Sequence, residues 1–179
     1  MFKLSALALS AILLGASATP VRRNACMPNA QGSPVSIQNA ATGLEWAAPN
    51  DFNIVGESYA SGLTSPRWHI PQSGEYPISY YIEDIDNGMA ATITGGELIL
   101  NAVNTEIYQP NQVFVIWCNF CGTDASPGNV LGETCVITPY NGTDVTDDCI
   151  GIGPSVGVSL FNSDCSTAVG NNELYTIVT

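Results

Sequence analysis

Three short segments of the chain end alike: Trp68-His69-Ile70, Phe114-Val115-Ile116 and Tyr175-Thr176-Ile177. Each is an aromatic residue, any residue, then isoleucine. Each closes a stretch that opens on a β-type run: Val35-Ser36-Ile37, Tyr76-Pro77-Ile78-Ser79-Tyr80 and Cys135-Val136-Ile137. The repeat predicts three lobes of similar build. A lobe of this size is too small to bury its own apolar face, so the three must close together. Their lengths are unequal. Ile70 and Ile116 are 46 residues apart, while Ile116 and Ile177 are 61 apart. The excess falls in a polar insert at 122–132 and a loop at 140–148, where added length costs little.

Between these landmarks the chain reads as all-β. Gly and Pro punctuate short apolar runs, and no long stretch has helical apolar spacing with caps. Strand, turn and strand are expected over 44–55, around Pro49-Asn50-Asp51. Strands are expected over 78–85, 89–94, 98–101, 113–117, 156–161 and 174–178. Asp86-Asn87-Gly88 is a hairpin turn signal. Periodicity alone leaves a β-sandwich and a small β-barrel both open.

The N-terminus has the form of a secretory signal. Lys3 precedes the apolar run Leu4 to Leu14, and Ala16-Ser17-Ala18 is an A-x-A cleavage site. The run is too short to span a bilayer, and no other run is long enough. The expected organisation is a signal peptide at 1–18, a dibasic propeptide at 19–23 ending in Arg22-Arg23, and one domain at 24–179. That length suits a single core.

Charge then excludes whole classes of partner. Lys3, Arg22 and Arg23 lie in the removed segment, which leaves Arg67 against sixteen acids, a formal charge of −15. Nucleic acid and anionic membrane both need Lys and Arg to neutralise phosphate, so neither is expected as a partner, and no membrane insertion is expected. The acids are scattered singly, as on a solvated surface.

The six cysteines lie at 26, 118, 121, 135, 149 and 165. In an exported chain an even number predicts disulfides. Cys118-Asn119-Phe120-Cys121 has C-x-x-C spacing, but zinc would need further ligands and His69 is the only histidine. Strand alternation points Trp68 and Ile70 inward and His69 outward. Asp84-Ile85-Asp86-Asn87-Gly88 fails the EF-hand pattern and reads as a turn. Asp144, Asp147 and Asp148 read as a solvated acidic loop. No metal and no cofactor is expected. Asn141-Gly142-Thr143 is an N-glycosylation sequon. No nucleophile elbow, HExxH motif or phosphate loop is present, and no pair of carboxylates stands out, so no enzyme activity is expected.

From Ser33 to Thr179 the chain resembles the ricin-B-type β-trefoils, with degenerate motifs. That family carries Gln-x-Trp near the end of each lobe. Here the matching segments are Pro66-Arg67-Trp68, Gln112-Val113-Phe114 and Glu173-Leu174-Tyr175. Gly74 to Ile78, running into Asn87-Gly88, looks like the start of a family repeat. The resemblance implies a β-trefoil of three unequal lobes. It also implies a disulfide within lobe three, Cys149 to Cys165. Cys118 or Cys121 would then pair with Cys135, and Cys26 would take the remaining thiol.

Sugar sites in this family use an Asp near the start of each lobe, an aromatic face, and an Asn beside Gln-x-Trp. An aromatic face packs on the ring and an amide or carboxylate bonds adjacent hydroxyls. The aspartate is missing in all three lobes. Glu45 could stand in for it in lobe one, and Asp147 or Asp148 in lobe three. Phe161 matches the stacking aromatic of lobe three, with Asn171 and Asn172 where the amide would sit. Asn111 and Gln112 match in lobe two. The resemblance therefore implies a secreted, extracellular, non-catalytic carbohydrate-binding protein with a glycan partner. The alternative is a protein-interaction module, such as a protease inhibitor or extracellular effector. It would have lost sugar binding and would present the loop 122–132 to an extracellular protein.

Overall fold

The computed structural model describes residues 25–59, 67–74, 78–103, 109–165 and 170–179. The signal and dibasic segments, Pro66, and Glu75 to Pro77 lie outside these residues. Lobe one holds strands β1 (Ser36–Asn39), β2 (Leu44–Ala47), β3 (Val55–Ser58) and β4 (Trp68–His69). Lobe two holds β5 (Glu83–Asp84), β6 (Ala90–Thr94), β7 (Glu97–Asn101) and β8 (Phe114–Trp117). The short β9 (Phe120–Cys121) leads into the insert. Lobe three holds β10 (Val130–Pro139), β11 (Asp148–Gly151), β12 (Phe161–Asp164) and β13 (Tyr175–Val178).

Within each lobe the first strand meets the last. Val35 pairs with Trp68, Tyr80 with Phe114, and Cys135 with Tyr175. Between lobes, β4 pairs with β5, β8 with β10, and β13 with β1. These six pairings close a barrel, so the sheets do not face one another as a sandwich. The barrel is filled by the repeated residues. Trp68, Phe114 and Tyr175 are buried, as are Ile70, Ile116 and Ile177. Ile37, Ile82 and Ile137 complete the matching layer from the first strands and are fully buried. In the second lobe this layer is supplied by Ile82 and not by Ile78 of the expected opening run, which is exposed; Tyr76 and Pro77 of that run lie outside the described residues.

The hairpins β2–β3, β6–β7 and β11–β12 cap one end of the barrel. They meet through Asn53 with Ile99, Glu97 with Phe161, and Ser159 with Val55. These pairings make Ile54, Leu98 and Leu160 equivalent. Ile54 N–H donates to Leu98 O at 3.2 Å, Leu98 N–H to Leu160 O at 3.0 Å, and Leu160 N–H to Ile54 O at 2.9 Å. A closed triangle of backbone hydrogen bonds thus ties the three lobes, and all three side chains are fully buried. The expected strand over 156–161 is shorter than predicted. Residues 154–157 form an exposed turn in which Gly157 has φ +80°, and the strand begins at Phe161.

Trp46 of β2 packs edge-on against both Trp68 and Tyr175, at 6.1 and 5.7 Å between ring centres. Two of the buried polar ends are bonded: Trp68 Nε1 donates to Trp46 O, and Tyr175 Oη to Ile150 O. As the alternation predicted, Trp68 and Ile70 face inward and His69 is half-buried on the outer side. Arg67 bonds the buried carboxylate of Asp84 at 3.1 Å and pairs with Asp51 and Asp86. Asp84 also accepts Asp86 N–H and Asn87 Nδ2. The turn at 84–88 is thus organised around an arginine–carboxylate pair.

The open end of the barrel is closed by the N-terminal segment and the insert. Three disulfides join Cys26 to Cys121, Cys118 to Cys135, and Cys149 to Cys165. A Cβ at Gly132 would lie 2.6 Å from the sulfurs of both Cys118 and Cys135, so only glycine fits beside that bond. Among the described residues no helix is long and apolar enough to cross a membrane.

Candidate functional site

The residues singled out by sequence lie on the capping hairpins and on the two 3-10 turns that lead into β8 and β13. These turns are Pro110–Gln112 and Asn171–Glu173. They stand at the same place in lobes two and three. Asn111 and Asn172 each sit one residue ahead of a buried anchor, Gln112 and Glu173 respectively.

The anchors differ because their surroundings differ. Gln112 Nε2 donates to Thr92 Oγ1 and to Ala102 O, both at 3.0 Å. A carbonyl partner requires a donor. Glu173 accepts from Ser163 Oγ at 2.6 Å and from Gly170 N–H at 2.7 Å. Two donors suit a carboxylate, which only accepts when ionised. The glutamate in the third lobe therefore fills the glutamine's structural place. Gln112, expected as a ligand contact, faces inward and holds strand β6 to the chain after β7.

In lobe two, Asn111 is exposed and its Nδ2 donates to Ile93 O at 3.2 Å. In lobe three, Asn172 is half-buried and its carbonyl accepts Ile152 N–H at 3.0 Å. Asn171 is exposed, and its main-chain carbonyl accepts from the buried Asn39 Nδ2 at 2.8 Å. It lines a shallow cleft of about 230 Å³ with Ala40, Thr134 and Thr176, and Phe161 is not part of that cleft. The main chain of Asn172 thus meets the chain just past β11, one residue from Gly151, which Phe161 faces.

Phe161 is half-buried on β12, directly opposite Gly151 of β11. A Cβ at 151 would meet the ring at 2.7 Å. The ring covers the glycine, so no longer side chain fits at 151 while it stays there.

Of the three acids offered in place of the missing aspartate, burial removes Glu45. Glu45 is buried on β2, opposite Gln38 and Glu57, and does not reach the surface. Burial of the strand face decides this, and the sequence window around Glu45 carried no sign of it. Asp148 Oδ2 accepts from Asn162 Nδ2 at 2.9 Å, while Asp147 is exposed and its carbonyl accepts Cys165 N–H. No group of three or more His, Cys, Asp or Glu side chains that could hold a metal ion occurs among the described residues. Asn141 is exposed in its turn, where its Oδ1 accepts the N–H groups of Thr143 and Asp144.

No protein-family model matches the sequence. No curated protein matches it either. Solved structures do. The designed 3-fold symmetric protein ThreeFoil superposes with a TM-score of 0.57 at 15% identity, covering 81% of this chain and 97% of that one. The Haemophilus ducreyi cytolethal distending toxin superposes with a TM-score of 0.51 at 11% identity, covering 87% and 88%.

The fold is a β-trefoil.

At these identities the likeness concerns architecture, and the trefoil's function must be argued from its own side chains. Near the capping hairpins of this trefoil lie the amides of Asn111 and Asn172 and the half-buried ring of Phe161.

Proposed function

We propose that this trefoil is a secreted, non-catalytic carbohydrate-binding protein, a divergent relative of the ricin-B-type lectins. One observation carries the reading. Asn111 and Asn172 occupy the same place in two lobes, above buried anchors of different chemistry. A primary amide offers both a donor and an acceptor, which suits the paired hydroxyls of a sugar. The half-buried ring of Phe161 adds an apolar face on the third hairpin. Export is supported by the signal-like N-terminus and by the three disulfides, which persist in oxidising compartments. Asn141 is the expected glycosylation position.

The test is a glycan array on secreted, disulfide-intact protein. Binding that weakens at least tenfold in Asn111→Ala or Asn172→Ala is the expected result. A blank array with correctly folded protein would sink the reading.

A second reading, a module that binds an extracellular protein, is favoured by Phe120. Its side chain is 55% exposed at the base of the insert. The segment around it is fixed by Cys26–Cys121 and Cys118–Cys135. The loop is also pinned mid-way, since Thr179 bonds Ser126, Gly128 and Asn129. A fixed loop with an apolar side chain loses little entropy on docking. A protease panel showing no inhibition at micromolar protein would remove the inhibitor version.

A further inference from the structure

Three seams run down the outer wall of the barrel, where the last strand of one lobe pairs with the first strand of the next. One position follows each barrel aromatic, and the three are equivalent. Val115 faces Thr138 across β8–β10, Thr176 faces Gln38 across β13–β1, and His69 faces Glu83 across β4–β5. The fold treats the three alike, but the side chains do not.

The first seam is filled. Val115 and Thr138 are fully buried, and a second small core of Val113, Val115 and Tyr140, with Tyr81 and Trp117 against it, covers that wall. The second seam carries neutral groups beside the shallow cleft at Asn171. The third carries an imidazole and a carboxylate. It opens on a cleft of about 360 Å³, within the roughly 300–1,000 Å³ typical of ligand pockets.

The opposite wall of this cleft is the N-terminal segment Asn29 to Gly32, and Ile70 and Tyr80 also line it. That wall is built in place. Tyr80 Oη donates to Pro28 O at 2.7 Å, and the segment is anchored by Cys26–Cys121. Gln31, at φ +52°, donates its N–H to Asn29 Oδ1 and its Nε2 to Thr123 O. Gln72 completes the rim.

We propose that this cleft is a second saccharide site, taking a neutral, hydroxyl-rich ligand between Glu83 and His69 on one wall and the amides of Asn29, Gln31 and Gln72 on the other. The inference rests on the carbohydrate-binding reading and adds a site away from the hairpins. The chemistry selects the ligand class. An anion would meet a carboxylate within a strongly acidic chain. A cation would find one carboxylate, already facing an imidazole. Hydroxyl groups match amides and a carboxylate fork, and the walls of Ile70, Pro71 and Tyr80 suit the apolar face of a sugar ring. Burial holds the Glu83 carboxyl above the usual carboxylate range, with His69 opposing.

His69 is the only histidine in the chain, so its imidazole NMR signals report on this cleft alone. The experiment titrates secreted protein with the methyl glycosides of glucose, galactose, mannose and N-acetylglucosamine, alongside the glycan array. Saturable movement of the His69 signals is expected with at least one glycoside. A Kd at least tenfold weaker is expected in Glu83→Gln, with Glu133→Gln, at an exposed position of β10, as a control that leaves it unchanged. Thermal melts check that Glu83→Gln folds. If the array is positive but the His69 signals stay still, or Glu83→Gln binds as tightly as the parent, the cleft proposal falls and the carbohydrate reading stands. If the array is blank and the His69 signals stay still, both fall.

Discussion

The ring of Phe161 rests on the backbone of Gly151 across the β11–β12 hairpin, with 2.7 Å between ring carbons and the place a Cβ would occupy. The two residues are coupled through that contact. Gly151→Ala is expected to cost about 1–3 kcal/mol, because the ring must move off its seat. In a Phe161→Ala background the same change should cost much less. A urea-denaturation double-mutant cycle measures the coupling directly. Additive effects would mean that the ring does not rest on the glycine backbone.

Leu98 stands at the centre of the cap, where its backbone bonds both Ile54 and Leu160. Its side chain is fully buried. Leu98→Ala should destabilise by about 2–5 kcal/mol through lost burial and a cavity. Because the triangle joins all three lobes, unfolding should remain a single transition. Separate transitions by near-UV and far-UV circular dichroism would show that the lobes unfold independently.

Gln112 and Glu173 offer an exchange. Gln112→Glu sets an acceptor against Ala102 O at a buried position and removes that carbonyl's side-chain donor, a loss of about 1–3 kcal/mol. Glu173→Gln should cost less. Its remaining oxygen can face Gly170 N–H, while the Ser163 hydroxyl can turn to accept from the new amide. Chemical denaturation of both variants ranks them, and equal losses would contradict the assignment of donors and acceptors.

Tyr80 links stability to alkaline pH. Burial pushes its hydroxyl up from 10.0 to about 12. Between those values the unfolded chain loses the proton and the folded chain keeps it. Stability from this group is therefore complete below pH 10 and falls as pH rises towards 12, by about 2–3 kcal/mol. Tyr175 is shifted in the same direction by burial and steepens the fall. Thermal melts from pH 8 to 12 should show this decline, and Tyr80→Phe should make it shallower. An unchanged slope would mean that Tyr80 ionises in the folded protein as it does in water.

Much of the barrel was legible because its signal is local. An aromatic and an isoleucine two apart point to one side of a strand, and Trp68 with Ile70, Phe114 with Ile116, and Tyr175 with Ile177 all turn inward. The same periodicity explains two misreadings. A strand pattern slipped by four residues looks unchanged, so Ile78 stood in for Ile82 in the opening run of lobe two. Val156, Val158 and Leu160 alternate like a strand, yet the turn at Gly157 puts both valines at the surface.

By itself the sequence determined the strands, the three unequal lobes and the acidic surface, since each depends on residue type and short spacing. Only the tertiary structure decided which cysteine among 118 and 121 reaches Cys135, that Glu45 is buried, and that Phe161 covers Gly151. It alone also brought His69 opposite Glu83 beneath the N-terminal segment, and joined Ile54, Leu98 and Leu160 in one ring. These are meetings of residues far apart along the chain, set by how the lobes close around the axis, and no local pattern encodes them.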